Sequence, residues 1–446
     1  MDPRQQTLRA TMEWSHDLLS ADEQAVFARM AVFRGGCTVE TAELIADADL
    51  DHLQSLVDKS LLRHTEERFT MLETVWQYAW EQLNLRGELP ERRRRHALGT
   101  LEVCEELVRH RDQDLAEDFD IVNHRLATER DNIRAALEWA RDNDKPEILL
   151  RLAAIGANIW PDSTYIHEAE YWYALSLKSS QTPAAARMSV LTGMAEVCVW
   201  RDDFMRAEDY IDAWLRTAEK TGDANEASRA LNMRGTVAGF QGDYERARAD
   251  FTTVLEQVHA GGFKHRVPGV LANLADVEWH AGNYEAALKI SNQAIESGGP
   301  VTYALAVAWE NGGLSNLGLQ DYRSAIKYFA KAIELFAKNE AKHQVASSLC
   351  GLAEALQALG DSRHAAQLLG AAETLADGIT QVFENKKQAQ AQTETMRVAR
   401  VTLGQEAFDA EWAKGESLDL DDTLGLVAVL VAQHDRPHRP TLPDSP

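Results

Sequence analysis

The sequence returns to the same pattern every 38–40 residues, and few architectures accept a period of that length. Five turns mark it: Arg201-Asp202-Asp203-Phe204, Gln241-Gly242-Asp243-Tyr244, Ala281-Gly282-Asn283-Tyr284, Leu319-Gln320-Asp321-Tyr322 and Leu359-Gly360-Asp361-Ser362. Three residues after each comes an alanine: Ala207, Ala247, Ala287, Ala325 and Ala365. Seven residues before the glycine position sits another small residue: Ala195, Gly235, Ala275, Gly313 and Ala353. Both series advance by 40, 40, 38 and 40 residues. Glycine can take the left-handed conformation that ends a helix, and Asp or Asn can cap the next one. The aromatic is expected to wedge between the two helices of a hairpin, and the small residues to let helix backbones approach at their crossing. Alanine-rich amphipathic stretches such as Tyr322–Phe336 fill the intervals. A generic helical bundle has no reason to keep a fixed period.

This turn, with a small residue seven before it, resembles the tetratricopeptide repeat. The resemblance covers about 184–376, with a degenerate unit expected around Ala169. Gln320 and Asp202 replace turn glycines, and Ser362 replaces the aromatic. In such arrays the first helix of each hairpin lines the concave surface. Three residues before the small position lie Thr192, Asn232, Ala272, Glu310 and Cys350; one after it lie Glu196, Thr236, Asp276, Leu314 and Glu354. The Lys/Asn carboxylate clamp known in the family is absent there. The candidate groove is Glu196, Arg229, Asn232, Asp276, Trp279, Glu310 and Glu354. Its carboxylates favour a basic or neutral protein or peptide and repel an acidic tail. A merely solvated acidic surface is the alternative reading.

The first hundred residues read differently. A helix over Thr7–Leu19 is followed by a cap at Ser20-Ala21-Asp22-Glu23 and helices over Ala25–Phe33, Thr38–Ala46 and Leu50–Lys59. Short strands at Leu61–His64 and Arg68–Leu72 flank Glu66-Glu67, and Glu73–Leu85 is again helical. Small helices followed by a hairpin describe a winged helix. The segments TLRATMEWSHDLLSADEQAVFARMAVFRGGCTVETAE, LVDKSLL and RFTMLETVWQYAWEQL resemble the winged-helix region of bacterial STAND-class regulatory ATPases (signal-transduction ATPases with numerous domains). In the actinobacterial antibiotic-regulator type, helices like RLATERDNIRAALEWA and then a tetratricopeptide array follow. The blocks AAQLLGAAETL and LGQEAFDAEWAKGESLDLDD are similar to that family's C-terminal cap.

The resemblance implies a nucleotide-binding domain ahead of the winged helix. No G-x-x-x-x-G-K-[ST] string occurs: Lys59-Ser60 and Lys220-Thr221 lack the glycines, and Gly35-Gly36 runs into Cys37. The sequence is therefore expected to start where that domain would end. It is read as a truncated relative or part of a split regulator, with a separate nucleotide-binding subunit as a possible partner.

A net charge of −24, with a pI near 5.0, argues against nucleic acid as the main partner. The basic run Arg92-Arg93-Arg94-Arg95 reads as a salt-bridged helix face. A DNA-binding regulator using this run and the winged helix is the alternative function. Cys37, Cys104, Cys198 and Cys350 are widely spaced, which suits thiols used as small apolar residues in a reducing compartment. No apolar stretch is long enough for a signal core or membrane span, so a cytoplasmic location is expected. Ser15-His16-Asp17 are adjacent helix positions that do not face one another. His434 and His438 lack further ligands for a metal. Trp139, Trp214 and Trp412 read as core. No catalytic residue, cofactor or metal is expected.

The expectation is an all-α chain: a winged-helix domain with a small β-hairpin wing, followed by a right-handed superhelical tetratricopeptide solenoid. The boundaries are 1–89 winged helix, 90–183 helical linker with a degenerate repeat, 184–376 array, 377–433 C-terminal helical cap, and 434–446 disordered tail. The function expected is non-catalytic interaction and sensing in a STAND-type signalling or transcription-regulating system, with the repeat array binding a protein, peptide or effector.

Overall fold

The computed structural model describes residues 3–65, 68–113, 119–156, 160, 165–179, 183–298, 303–376 and 386–434. The chain divides into two compact units, Met1–Glu226 and Ala227–Pro446.

The first unit opens with α1 (Pro3–Asp17), α2 (Ala21–Met30), α3 (Val39–Ala46), α4 (Leu50–Asp58), β1 (Arg63–Thr65), β2 (Arg68–Thr70) and α5 (Glu73–Leu85). Ser20 and Glu23 exchange side-chain and backbone hydrogen bonds in a capping box, and Thr38 does the same with Thr41. These caps fix where α2 and α3 begin. The strands are shorter than the hydrophobic pattern suggests, because the ladder holds only from Arg63 opposite Thr70 to Thr65 opposite Arg68. The expected turn at Glu66-Glu67 lies outside the described residues. Phe69 also pairs with Cys37 through two backbone bonds of 2.8 and 3.0 Å. Gly36 turns the chain there at φ +75°, where a Cβ would strike the Phe69 carbonyl oxygen at 2.6 Å. Phe27, Ile45, Leu53, Leu56 and Leu83 fill the small core.

Then come α6 (Leu89–Gln113), α7 (Phe119–Thr128), α8 (Arg130–Asp142), α9 (Pro146–Gly156), α10 (Ile166–Ser176), α11 (Ala184–Trp200) and α12 (Phe204–Thr221). Asn132 on α8 joins this helical layer to the winged helix. Its amide nitrogen donates to Gly36 O at 2.9 Å and Glu129 Oε2 at 2.7 Å, and its oxygen accepts from the Arg34 amide at 2.9 Å. The buried Asn132 oxygen also lies 3.2 Å from His96 Nε2. Desolvation pushes the His96 pKa down to about 4, so the imidazole is neutral there.

The second unit begins within the first turn of α13 (Ala224–Phe240) and continues with α14 (Tyr244–Ala260), α15 (Val267–His280), α16 (Tyr284–Glu296), α17 (Tyr303–Gly318), α18 (Tyr322–Lys338), α19 (Lys342–Ala358), α20 (Ser362–Leu375), α21 (Lys386–Leu403), α22 (Gln405–Glu416) and α23 (Leu420–His434). Apart from the β1–β2 ribbon, the regular structure of the described residues is helical, so the all-α class holds. His434 ends α23; the rest of the predicted tail, with His438, lies outside the described residues.

The turns have the geometry that their residues predict. The amides of Asp203, Asp243, Asn283, Asp321 and Asp361 each reach back five residues, to Cys198, Ala238, Glu278, Asn316 and Leu356, at 2.8–2.9 Å. The side chains of Asp203, Asp243, Asp321 and Asp361 cap the following helix. Asn283 instead turns its amide to Glu278 at 2.7 Å. Where glycine is missing, Asp202 and Gln320 still hold φ of 55° and 60°. That conformation costs a non-glycine residue about 1–2 kcal/mol, so the surrounding hairpins impose it.

At Gly235 and Gly313 the repeated small position is met by a ring from the second helix rather than by its backbone, which corrects the expectation there. A Cβ on Gly235 would lie 3.0 Å from Phe251 Cζ, and one on Gly313 would lie 2.9 Å from Phe329 Cε1. The turn aromatic Tyr284 also reaches out of its own hairpin: its ring lies against Gly318 of the next one, 2.6 Å from where a Cβ would sit. In both places a large ring fills more space than backbone contact could, and glycine supplies the room.

Candidate functional site

Within the second unit the first helices α15, α17 and α19 stack on one another, which sets their faces side by side. Of the predicted groove residues, Asn232, Asp276, Trp279, Glu310 and Glu354 lie on α13, α15, α17 and α19, together with the exposed Arg229 of α13. Glu196 lies half-buried on α11 in the first unit.

Each of the inner carboxylates has company. Asp276 lies 3.6 Å from His280 Nε2, one turn along α15. Glu310 Oε1 accepts from the hydroxyls of Ser347 at 3.0 Å and Ser348 at 2.9 Å on α19. Asn232 accepts from Asn273 Nδ2 at 3.4 Å. Burial raises the pKa of Glu354, and the charge of Lys387 partly offsets that rise. Trp279 is buried, and its Nε1 donates to Leu314 O at 3.1 Å.

Sequence reasoning missed the residue that draws two of these together. Lys387, in the first turn of α21, places Nζ 4.2 Å from the Trp279 ring centroid and 4.9 Å from that of Tyr284. It also donates to the Tyr284 hydroxyl at 3.0 Å. Further along α21, Gln392 Nε2 lies 3.4 Å from Cys350 Sγ, another inner-face position. Helix α21 therefore lies against the face where α15 and α19 display their groove residues. Only the Lys386-Lys387 pair, the first lysines or arginines after Arg363, hints at this in the sequence.

Ion pairs to buried carboxylates tie neighbouring helices of the array together. Arg248 on α14 makes a two-pronged contact with the buried Glu278 of α15 at 2.6 and 3.0 Å. Arg234 meets the buried Asp250 in the same way at 2.9 and 2.6 Å. Fork-to-carboxylate geometry of this kind fixes direction as well as distance. All four cysteines are free and buried. Burial pushes the Cys350 thiol up to about 12, so it is protonated near neutral pH. His16 is also buried, edge-on to Tyr78.

The basic run serves the first unit from within. Arg92, itself buried, pairs with Asp47 at 2.7 Å and with Glu88 at 3.4 Å. Arg93 lies 3.9 Å from Asp142, Arg94 pairs with Glu91 at 2.8 Å, and Arg95 reaches Asp47 at 2.9 Å. In a helix-turn-helix the second helix enters the major groove. Here that helix, α4, exposes Asp51, Gln54 and Asp58 beside the capping Asp49, and Lys59 is paired with Glu23 at 3.0 Å. Carboxylates in that position repel phosphates. A gel-shift titration at about 0.15 M salt should therefore find no sequence-dependent duplex complex. A nanomolar, sequence-specific band would revive the DNA-binding reading.

Comparison with known proteins agrees with this architecture. Residues 19–84 match the family model of the winged helix-turn-helix domain, and residues 306–339 match that of the tetratricopeptide repeat. The chain joins a winged helix to a tetratricopeptide array. A Mycobacterium tuberculosis protein named "Putative HTH-type transcriptional regulator" is 32% identical over 260 residues, covering 54% of this chain and 29% of that protein. A counterpart of the same name from Mycobacterium bovis matches equally. The chain thus spans under a third of the length of these relatives. The solved structure of a STAND protein with a tetratricopeptide repeat sensor, from Pyrococcus horikoshii, aligns with TM-score 0.49 and 15% identity. That alignment covers 94% of this chain and 65% of the other. Among the described residues, no helix is long and apolar enough to cross a membrane.

Proposed function

We propose that this chain is a non-catalytic interaction and sensing module of a STAND-type signalling or transcription-regulating system, of the actinobacterial antibiotic-regulator type. Its repeat array binds a protein or peptide of basic or neutral character. Nucleotide chemistry, where the system needs it, comes from a nucleotide-binding segment or subunit outside these residues. The observation that carries this reading is the row of carboxylates Asp276, Glu310 and Glu354 on successive first helices of the array. The matched repeat family supports an interaction role, and the name of the mycobacterial relatives supports a regulatory setting.

The test uses an acetylated, amidated decapeptide of Gly and Ser bearing two lysines, and its counterpart with two glutamates. Calorimetric titration of the full chain should detect the lysine peptide and not the glutamate one. The double substitution Asp276→Asn, Glu310→Gln should weaken the lysine peptide about 3- to 10-fold, since each exposed charge contact contributes about 0.3–1 kcal/mol. The melting curve should stay in place, because glutamine and asparagine keep an acceptor oxygen for Ser347, Ser348 and His280. Equal binding of both peptides, or an unaltered affinity in the double variant, would remove the acidic face from the mechanism.

A further inference from the structure

The array already displays what a ligand of its inner face looks like. The end of α15 and the start of α16 are joined by the turn at Gly282, φ +83°, which brings Trp279 and Tyr284 to the same cation. Lys387 Nζ sits over the Trp279 ring, and its hydrogen bond to the Tyr284 hydroxyl fixes its direction. A ring face attracts an ammonium group, more strongly as water is excluded. Glu354 lies one turn beyond Cys350 on α19, and Cys350 is the residue that Gln392 of α21 meets; Lys387 partly offsets the rise that burial gives the Glu354 pKa, and together with burial it depresses that of His280. The Lys387 side chain remains exposed, so it can leave without opening the core.

We propose that Trp279, Tyr284 and Glu354 form a seat for a lysine side chain of a peptide partner, and that Lys387 occupies this seat until the partner competes for it. The proposal rests on the reading of the inner face as a surface for basic partners. It adds the residues that recognise the cation and a built-in competitor that sets the apparent affinity. A seat held closed nine-tenths of the time weakens an incoming ligand about tenfold.

The experiment is titration of the full chain with the two-lysine decapeptide. Lys387→Ala should tighten binding about tenfold. Arg397→Ala removes the same charge from the same helix, away from the seat, and should change affinity far less. Adding Tyr284→Leu to Lys387→Ala should abolish the gain; if that variant melts early, Glu354→Gln in its place supplies the same test. Parental affinity in Lys387→Ala, an equal gain in Arg397→Ala, or a gain that survives loss of Tyr284 and Glu354 overturns the seat. If those results come while Asp276→Asn, Glu310→Gln still weakens the peptide, the acidic face stands and only the seat falls. If the parent and every variant fail to bind the peptide, both readings fall.

Discussion

Replacing Gly415 by alanine should loosen the C-terminal cap from the array and lower the melting temperature of the second unit. Helices α20 and α22 cross through a pair of buried glycines, Gly370 and Gly415. A methyl on Gly415 would lie 2.8 Å from the carbonyl carbon of Gln367 and 2.9 Å from the amide nitrogen of Ala371, with the Gln367 carbonyl oxygen nearer still. The obstructing atoms are backbone, so no rotamer change relieves the clash; the helices must separate. Overpacking of this kind costs about 3 kcal/mol or more. For a unit of this size that corresponds to a fall of roughly 6–12 °C. Separation would also break the bond from Gln367 on α20 to the buried Glu411 on α22. The control is Gly425→Ala on α23, where an added Cβ meets nothing within 4 Å. That change should stabilise by about 0.4–1 kcal/mol, because alanine has less backbone freedom to lose on folding. Differential scanning calorimetry of the two variants gives opposite signs if the crossing is as described. Equal melting of Gly415→Ala and the parent would refute it.

Gly235→Leu should be nearly as damaging, for a different reason. Three atoms of the Phe251 ring already lie 3.0–3.2 Å from where the Cβ would be. Phe251 is itself fully enclosed, together with Val254 and Val258. Leucine adds three further carbons beyond the Cβ, so ring and helix must both shift, at about 2–3 kcal/mol. Stacked hairpins share their interfaces, and the loss should spread to the neighbouring α15. Glu310→Gln should by contrast stay within about 0.5 kcal/mol of the parent. Urea unfolding of the pair would decide the point. If Gly235→Leu unfolds at the parental midpoint, the ring does not close on this position.

The sequence alone determined the repeating scaffold, because its signals are local. A left-handed residue, a capping aspartate and an alanine on the next turn act within five or six residues. They therefore appear at fixed spacing whatever the rest of the chain does. The winged helix was legible on the same grounds, from the caps at Ser20 and Thr38 and the short ribbon after Leu61. The same local reasoning placed Asp276, Glu310 and Glu354 on first helices.

Tertiary structure decided what those surfaces meet. Four arginines in a row read as a salt-bridged helix face, but the sequence does not name their distant partners; folding sets Asp47 and Asp142 against them beside the local Glu88 and Glu91. A small residue announces close approach, but not that Phe251 is the neighbour. Gly370 and Gly415 stand 45 positions apart with no shared motif. Lys387 meets Tyr284 across 103 positions. Contacts at such separations depend on how whole helices stack, and neither a propensity nor a period encodes that. The period could therefore predict a face, and only the fold could show that the chain has placed its own lysine on it.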